Sequence, residues 1–192
     1  ISEKEAYSFW GDVTAQLGAT LDDWLNAPAK DVISAMSNTS ASHKNAGLCC
    51  VPVLDDHLIC YDLNDVATQK VQASVPYIMG STKDDLFADV LADMAKSWVI
   101  QQSSQNMKPS YCFYFGRDLP GDEKGAWHSS ELWYTIGALS KCWRPWTDWD
   151  HTISKTLMSY FANFAKTGNP NGADLPEWIP TKCSDDPLLV IN

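Results

Sequence analysis

The segment VPYIMG at residues 75–80 is a short, continuous apolar run. Such a run is typical of a strand that is buried on both faces, as in a parallel sheet. A second run, SYCFYFG at 110–116, is rich in aromatic residues and predicts another core strand. A helical pattern lies between the two runs, so the order strand, helix, strand predicts an α/β layering.

Helical patterns surround these strands. The helix after the first strand is predicted to bury one apolar stripe, made of Leu86, Phe87, Val90, Leu91, Met94 and Trp98. Further helices are predicted at residues 3–17, 21–25, from Pro28 onward, at 64–70, over most of 128–139 and from Thr147 to Gly168. Thr147 and Asp150 match a capping box, and Gly168 is placed to end that last helix. Residues 37–47 are predicted to form a polar loop, and Asp55 and Asp56 a turn.

The composition is that of a folded globular chain, with 45% hydrophobic and 20% charged residues in 192. Lys and Arg number 14 against 24 Asp and Glu, which gives a net charge of −10. An acidic chain with no basic stripe is a poor candidate for binding nucleic acid or an anionic membrane surface. Its longest apolar runs are far shorter than the ~20 residues of a membrane-spanning helix, so no membrane span is predicted.

The six cysteines give no metal or redox motif. They stand at Cys49, Cys50, Cys60, Cys112, Cys142 and Cys183, and no two have C-x-x-C spacing. We interpret them as buried thiols that behave as small hydrophobic residues. The even count leaves disulfides open, and the compartment stays open between cytoplasmic and secreted.

The candidate chemistry lies after the two strands. His128 follows the second strand by a loop, and a histidine there can act as a general base because its ordinary pKa is near neutrality. Asp84 and Asp85 follow the first strand, and the carboxyl ends of parallel strands meet at one edge of a sheet. A carboxylate there could hold the imidazole in one tautomer. The alternative interpretation of both aspartates is capping of the next helix.

Several segments resemble the type-B carboxylesterase family, the cholinesterase-like branch of the α/β-hydrolases. They are GSTKDDLF at 80–87, GAWHSSELWYTIGAL at 125–139, YFANFAKTGNPNG at 160–172, LPEWIP at 175–180 and VPVLDDHLI at 51–59. The resemblance implies that His128 is the general base and Asp85 the orienting acid. The family usually has glutamate followed by glycine where this chain has Asp85 and Leu86, so Asp84 remains a weaker alternative for the acid.

The nucleophile of such an enzyme is absent from these residues. The fold needs a serine on a G-x-S-x-G turn, and the two glycine pairs with that spacing enclose Glu123 and Pro170 instead. The resemblance therefore implies that residues 1–192 are the C-terminal portion of a single α/β-hydrolase domain, with its last core strands and packing helices. An N-terminal chain or segment of the same esterase would complete the sheet and supply the serine and the oxyanion hole. The start at Ile1 fits this expectation.

The predicted function is carboxylic ester hydrolysis by a Ser-His-Asp mechanism, with activity only when the N-terminal part is present. A small-molecule ester is the expected substrate, and no cofactor or metal is expected. The alternative is a non-catalytic cholinesterase-like binding or adhesion module. A third hypothesis is a carbohydrate-binding domain that stacks sugars on tryptophans.

Aromatic residues near His128 are candidates for substrate binding. Trp127 adjoins the proposed base, and Phe113 and Phe115 lie on the second strand. Trp127 is predicted to line a pocket for bulky or aromatic esters. Either Phe113 and Phe115 or the alternating Tyr114 would contribute from the strand. The alternative interpretation is ordinary packing, since five of the nine tryptophans lie between residues 127 and 149.

Overall fold

The chain divides into two units, Ile1–Gln69 and Lys70–Asn192. The structure is a computed structural model that describes residues 1–44, 46–48, 51–105 and 108–192. The first unit is helical, with α1 at Glu3–Leu17, α2 at Leu21–Asn26, α3 at Ala29–Ser40, a 3-10 helix at Ala46–Leu48 and α4 at Leu63–Thr68. The helices predicted in this region are therefore confirmed.

The first unit has a small core of its own. Phe9 and Val13 of α1 are buried and share a cluster with Ala35 of α3. The predicted polar loop begins later than expected, because α3 continues to Ser40. Thr39 is buried there and accepts a hydrogen bond from the Gln16 side chain at 2.9 Å, so this polar residue lies on a packed face of the helix.

A parallel sheet forms the centre of the second unit. Its strands are β1 at Ile78–Thr82, β2 at Tyr111–Phe115 and β3 at Leu189–Ile191, in the order β1-β2-β3. The register pairs Ile78 with Tyr111 and Phe113 with Leu189. The helices of this unit are α5 at Ala88–Ser104, α6 at Leu132–Thr135 and α7 at Asp148–Thr167, with a 3-10 helix at Leu139–Lys141. The predicted α/β layering is confirmed.

The strands differ in part from the prediction. β1 begins at Ile78 rather than near Val75, and it continues to Thr82. Pro76 precedes it and has no N–H to donate to a ladder. Only Ser81 and Thr82 of β1 are buried, so the expectation of a strand covered on both faces is wrong for this chain. The short β3 was not predicted at all.

Opposite faces of β2 contact different helices. Tyr111, Phe113 and Phe115 belong to the main core, together with Leu157 and Tyr160 of α7. Cys112 points the other way and shares a cluster with Ala95 and Val99 of α5. The capping box of Thr147 and Asp150 and the left-handed cap at Gly168 are both present in α7, as predicted.

The predicted buried stripe of α5 is wrong for four of its six residues, since Leu91 and Trp98 are half-buried and the others are exposed. Leu86 and Phe87 precede the helix and are 84% and 70% exposed, and Val90 and Met94 are exposed as well. The face on the sheet is formed instead by the smaller side chains Ala95 and Val99 and by Gln102. Periodicity finds an apolar face but does not say which of two faces meets the sheet.

The segment after His128 is less helical than predicted. Over residues 128–139 the only α-helical stretch is Leu132–Thr135. Ser129 and Gly137 both have positive φ values, +66° and +67°, and such residues interrupt a right-handed helix. Among the described residues, no helix combines the length and the apolarity needed to cross a membrane.

Replacing Gly80 with Ala is expected to destabilise the sheet. Gly80 pairs with Phe113 across β1 and β2, and a Cβ at Gly80 would overlap the Phe113 ring. That ring is held by Phe161 and Trp178, each about 6.3 Å away between ring centroids. Overpacking of this kind costs about 1–3 kcal/mol, measurable as a lower urea midpoint of the full-length protein. Gly11→Ala is the control, since nothing lies within 4 Å of a Cβ there. An unchanged midpoint for Gly80→Ala would contradict the proposed overlap.

Candidate active site

The candidate site lies at the carboxyl ends of β1 and β2. Thr82 ends β1 and Asp85 follows three residues later. His128 lies further along the irregular loop that follows β2, after residues 117–125. Because the two strands are parallel and in register, the segments that leave them emerge at the same edge of the sheet.

The structure brings His128 and Asp85 together. The Nδ1 atom of His128 lies 3.0 Å from Oδ2 and 3.1 Å from Oδ1 of Asp85. The Asp85 side chain is 8% exposed, whereas the imidazole is 70% exposed. A buried carboxylate therefore holds one edge of a ring whose other edge faces outward.

Asp85 is fixed by two further hydrogen bonds. The Thr82 hydroxyl donates to Oδ2 at 3.0 Å, and the backbone N–H of Leu86 donates to Oδ1 at 2.7 Å. Burial raises the pKa of Asp85, but the hydrogen bonds from His128, Leu86 and Thr82 outweigh it and leave that pKa below its ordinary value. Asp85 is therefore an ionised acceptor at neutral pH. It holds a proton on Nδ1 of the neutral imidazole and leaves Nε2 free to accept another.

Asp84 lies elsewhere in the same site. Its Oδ2 accepts a hydrogen bond from the backbone N–H of Ala126 at 2.8 Å, rather than one from the imidazole. Neither aspartate caps α5, because that helix begins at Ala88 after Phe87 and has no side-chain cap. The capping interpretation is therefore wrong for both residues.

An open cavity of about 430 Å³ contains the pair. Asp84, Leu86, Lys124, Trp127 and Arg144 line the rest of it. Arg144 forms a bidentate ion pair with Asp122, at 3.0 and 2.8 Å. Lys124 and Arg144 were not expected here, and nothing in their sequence surroundings marks them as lining residues.

The structure does not bring Phe113 and Phe115 to this cavity. Phe113 is buried against Phe161 and Trp178, and Phe115 is fully buried beside Tyr134. Alternation along β2 directs both rings toward the face that α7 covers, so we assign them to the core. Trp127 does line the cavity.

Glu131 is a third carboxylate near the pair that the sequence did not single out. It is partly buried, and its Oε2 has no hydrogen-bond partner among the described residues. Burial raises the pKa of Glu131 and the charge of Asp85 adds to that rise, while a backbone hydrogen bond opposes it. Glu131 lies three positions after His128 in an irregular loop. That spacing does not predict that its carboxylate lies near His128 and Asp85.

The remaining histidines and cysteines lie outside this site. His57 and His151 are exposed, as expected. His43, also expected in solvent, instead lies 2.9 Å from Asp12 and packs edge-on to Phe9. Only Cys112 is buried among the four cysteines that the structure describes, so the buried-thiol interpretation is wrong for Cys60 and Cys183. Burial raises the pKa of Cys112 to about 11. Cys49 and Cys50 lie outside the described residues.

No group of three histidine, cysteine or acidic residues in the described ranges is arranged to hold a metal ion.

Comparison with known proteins gives a consistent picture. The model of the carboxylesterase family matches residues 84–192, more than half of the chain, and that range includes Asp85 and His128. Liver carboxylesterase 1 of Mus musculus is 27% identical over 139 residues, which are 62% of this chain and 23% of the mouse protein. Carboxylesterase 1E of the same species is 28% identical over 174 residues, or 85% of this chain and 29% of that protein.

The fold is similar to that of solved esterases. A thermophilic PNB esterase superposes with a TM-score of 0.72 at 18% sequence identity, over 94% of this chain and 48% of the esterase. The fold class is therefore that of the α/β-hydrolases. The chain spans less than a third of the curated relatives named above and about half of this solved structure.

Proposed function

This chain belongs to the carboxylesterase family, and from that premise we propose that it supplies two of the three catalytic groups of a carboxylic ester hydrolase. Residues 1–192 form the C-terminal portion of a single α/β-hydrolase domain. An N-terminal chain or segment supplies the nucleophilic serine and the oxyanion hole. The observation that carries the proposal is the exposed imidazole of His128, 3.0 Å from the buried carboxylate of Asp85.

The geometry fits a general base that acts twice. Nε2 of His128 takes the proton of the serine as its oxygen attacks the ester carbonyl, and Asp85 stabilises the resulting imidazolium. The imidazolium then gives that proton to the leaving alcohol, which leaves an acyl-enzyme. His128 next takes a proton from water, and the water attacks the acyl group. His128 then returns that proton to the serine oxygen, which releases the carboxylic acid product and restores the starting state.

The surface around His128 and Asp85 has features that suit contact with another part of the esterase. Leu86, Phe87, Val90 and Met94 are exposed apolar side chains in the segment directly after Asp85. A concentration of large apolar side chains open to water often marks a protein interface. β1 is also an edge strand within the described part of the sheet, and an open edge pairs readily with another strand. The N-terminal part of the esterase would cover both features and bring its serine to the imidazole.

Labelling with a serine-reactive phosphonate tests the proposal. The chain is purified from its native source together with whatever is joined or bound to it, and the adduct is located by mass spectrometry. We expect one adduct, on the serine of a G-x-S-x-G turn outside residues 1–192. The control is the same sample denatured before labelling, which should carry none.

The absence of any adduct in the native sample would contradict the esterase proposal. That result would favour the non-catalytic cholinesterase-like binding or adhesion module, which keeps the fold without a working nucleophile.

Trp127 is proposed to contact the ester substrate, a small molecule. Replacing Trp127 with Ala removes a large apolar wall of the cavity, so kcat/KM for aromatic or bulky esters should fall about tenfold more than for acetate esters. The measurement is a panel of p-nitrophenyl esters of increasing acyl size. Trp149→Ala is the control, since Trp149 is exposed and does not line the cavity. An equal loss for every ester would remove Trp127 from the substrate site.

A further inference from the structure

Asp84 holds the main chain of the loop that carries His128. The backbone N–H of Asp84 donates to the carbonyl of Ala126 at 3.0 Å, and the N–H of Ala126 donates back to Oδ2 of Asp84 at 2.8 Å. These two bonds close a ring between the segment after β1 and a residue two positions before His128. Ala126 is fully buried, so this part of the loop is enclosed as well as bonded.

The loop is shaped to accept this contact. Gly125 has φ +68°, and a Cβ at that position would overlap the Asp84 carboxylate. The carbonyl of Gly125 accepts a hydrogen bond from the N–H of Leu119 at 3.2 Å, which fixes the loop on its other side. A glycine therefore allows the carboxylate to reach the Ala126 amide.

Asp84 and Asp85 thus both contact the loop that carries His128, one at its backbone and the other at a side chain. Asp85 contacts the imidazole of His128, and Asp84 contacts the backbone that carries it. We propose that Asp84 is a positioning residue, which fixes the histidine loop so that the His128 ring stays within hydrogen-bond distance of Asp85. The inference rests on the proposed function, because its consequence for rate assumes that His128 is the base.

Asp84 also lies in a charged cluster, which offers a competing explanation. The Lys83 ammonium lies 3.6 Å from Oδ2 of Asp84 and also forms an ion pair with Asp118. If the charge of Asp84 mattered rather than its contact with Ala126, an uncharged acceptor at the same position would fail. An asparagine keeps an oxygen that can accept from the Ala126 N–H and lacks the charge, so it separates the two explanations.

The test uses the full assembled esterase with Asp84→Ala, Asp84→Asn and, as a matched control, Asp118→Ala. We expect Asp84→Ala to lower kcat roughly 10²-fold with little change in KM, because small displacements of a reacting group have effects of this size. Asp84→Asn should restore most of the rate, and Asp118→Ala should match the wild type. In Asp84→Ala, hydrogen exchange of the peptide containing Ala126 should accelerate, which is read independently of activity.

Each other outcome overturns the positioning role. Wild-type kcat in Asp84→Ala, or unchanged exchange at Ala126, would show that the contact does not hold the loop. An Asp84→Asn variant as slow as Asp84→Ala, or an equal loss in Asp118→Ala, would assign the effect to charge. Failure of the proposed function is seen separately, since the wild-type enzyme would then take no phosphonate.

Discussion

Replacing His128 with Ala is expected to lower kcat of the assembled esterase by about 10⁴-fold or more, with a much smaller change in KM. Nε2 of His128 faces outward from a ring fixed by Asp85, and among the described residues no second histidine forms a hydrogen bond or ion pair with that carboxylate. Without the imidazole, the serine keeps its proton at neutral pH and attacks the ester slowly. Single-turnover release of p-nitrophenol from an activated ester measures the acylation step directly.

Two further variants make this result specific. Asp85→Asn should also reduce kcat by about 10⁴-fold, because the amide no longer favours the tautomer with a proton on Nδ1. His151→Ala is the control, since His151 is an exposed residue in the first turn of α7. Turnover in His128→Ala equal to that of the wild type would exclude His128 as the general base.

Replacing Asp150 with Ala is expected to destabilise the fold by about 3–5 kcal/mol, the cost typical of removing one partner from a buried ion pair. Asp150 is fully buried and accepts from Arg117 at 2.9 and 3.3 Å and from the Tyr134 hydroxyl at 2.9 Å. It also closes the capping box of α7 with Thr147, at 2.9 and 2.7 Å. The variant would leave Arg117 and Tyr134 without their shared acceptor. The measurement is the free energy of unfolding in urea.

The same carboxylate predicts a dependence on pH. Burial raises the pKa of Asp150, but the hydrogen bonds from Arg117, Thr147 and Tyr134 outweigh it and place that pKa far below the ordinary value. A depressed pKa contributes stability above the unfolded value, near 3.9, and this contribution is lost as the pH falls toward the folded value. Acidification from about pH 5 to pH 2 should therefore cost the wild type more stability than Asp150→Asn.

Asp148→Ala is the matched control for Asp150, because Asp148 is an exposed acid in the same helical turn. It should cost about 0.3–1 kcal/mol, as expected for a charge near a helix N-terminus. A similar small cost for Asp150→Ala would show that the network around Arg117 and Tyr134 contributes little to the fold.

Local signals in the sequence predicted both ends of α7 well. Thr147, Asp150 and Gly168 mark α7 because a capping box and a left-handed glycine are chemically specific. β3 has only three residues, Leu189–Ile191, and a run that short has no periodicity of its own. The prediction of the buried face of α5 was wrong for a different reason. The apolar stripe that includes Leu86 and Met94 suits a core, but the sheet packs against Ala95 and Val99.

Part of the candidate site was predictable from the order of the strands, because His128 and the pair Asp84 and Asp85 each follow the end of a predicted parallel strand. The family resemblance was needed to favour Asp85 over Asp84 and over a capping role. The structure places Asp85 in contact with the imidazole, whereas it puts Phe113 and Phe115 in the core because side chains alternate along β2. The second contact of the site, Asp84 with Ala126, joins a side chain to a backbone amide. Such a contact depends on loop conformation, which a residue pattern does not specify.

The strand order has a consequence for how fast the second unit folds. β2 pairs on one side with β1, as in Ile78 with Tyr111, and on the other with β3, as in Phe113 with Leu189. Both pairings are parallel and join distant parts of the chain, so each requires closure of a long loop before any ladder bond can form. Domains dominated by such non-local contacts fold in milliseconds to seconds, roughly, rather than microseconds. We expect slow refolding, with the aromatic side chains of β2 transiently open to water until α7 packs against them.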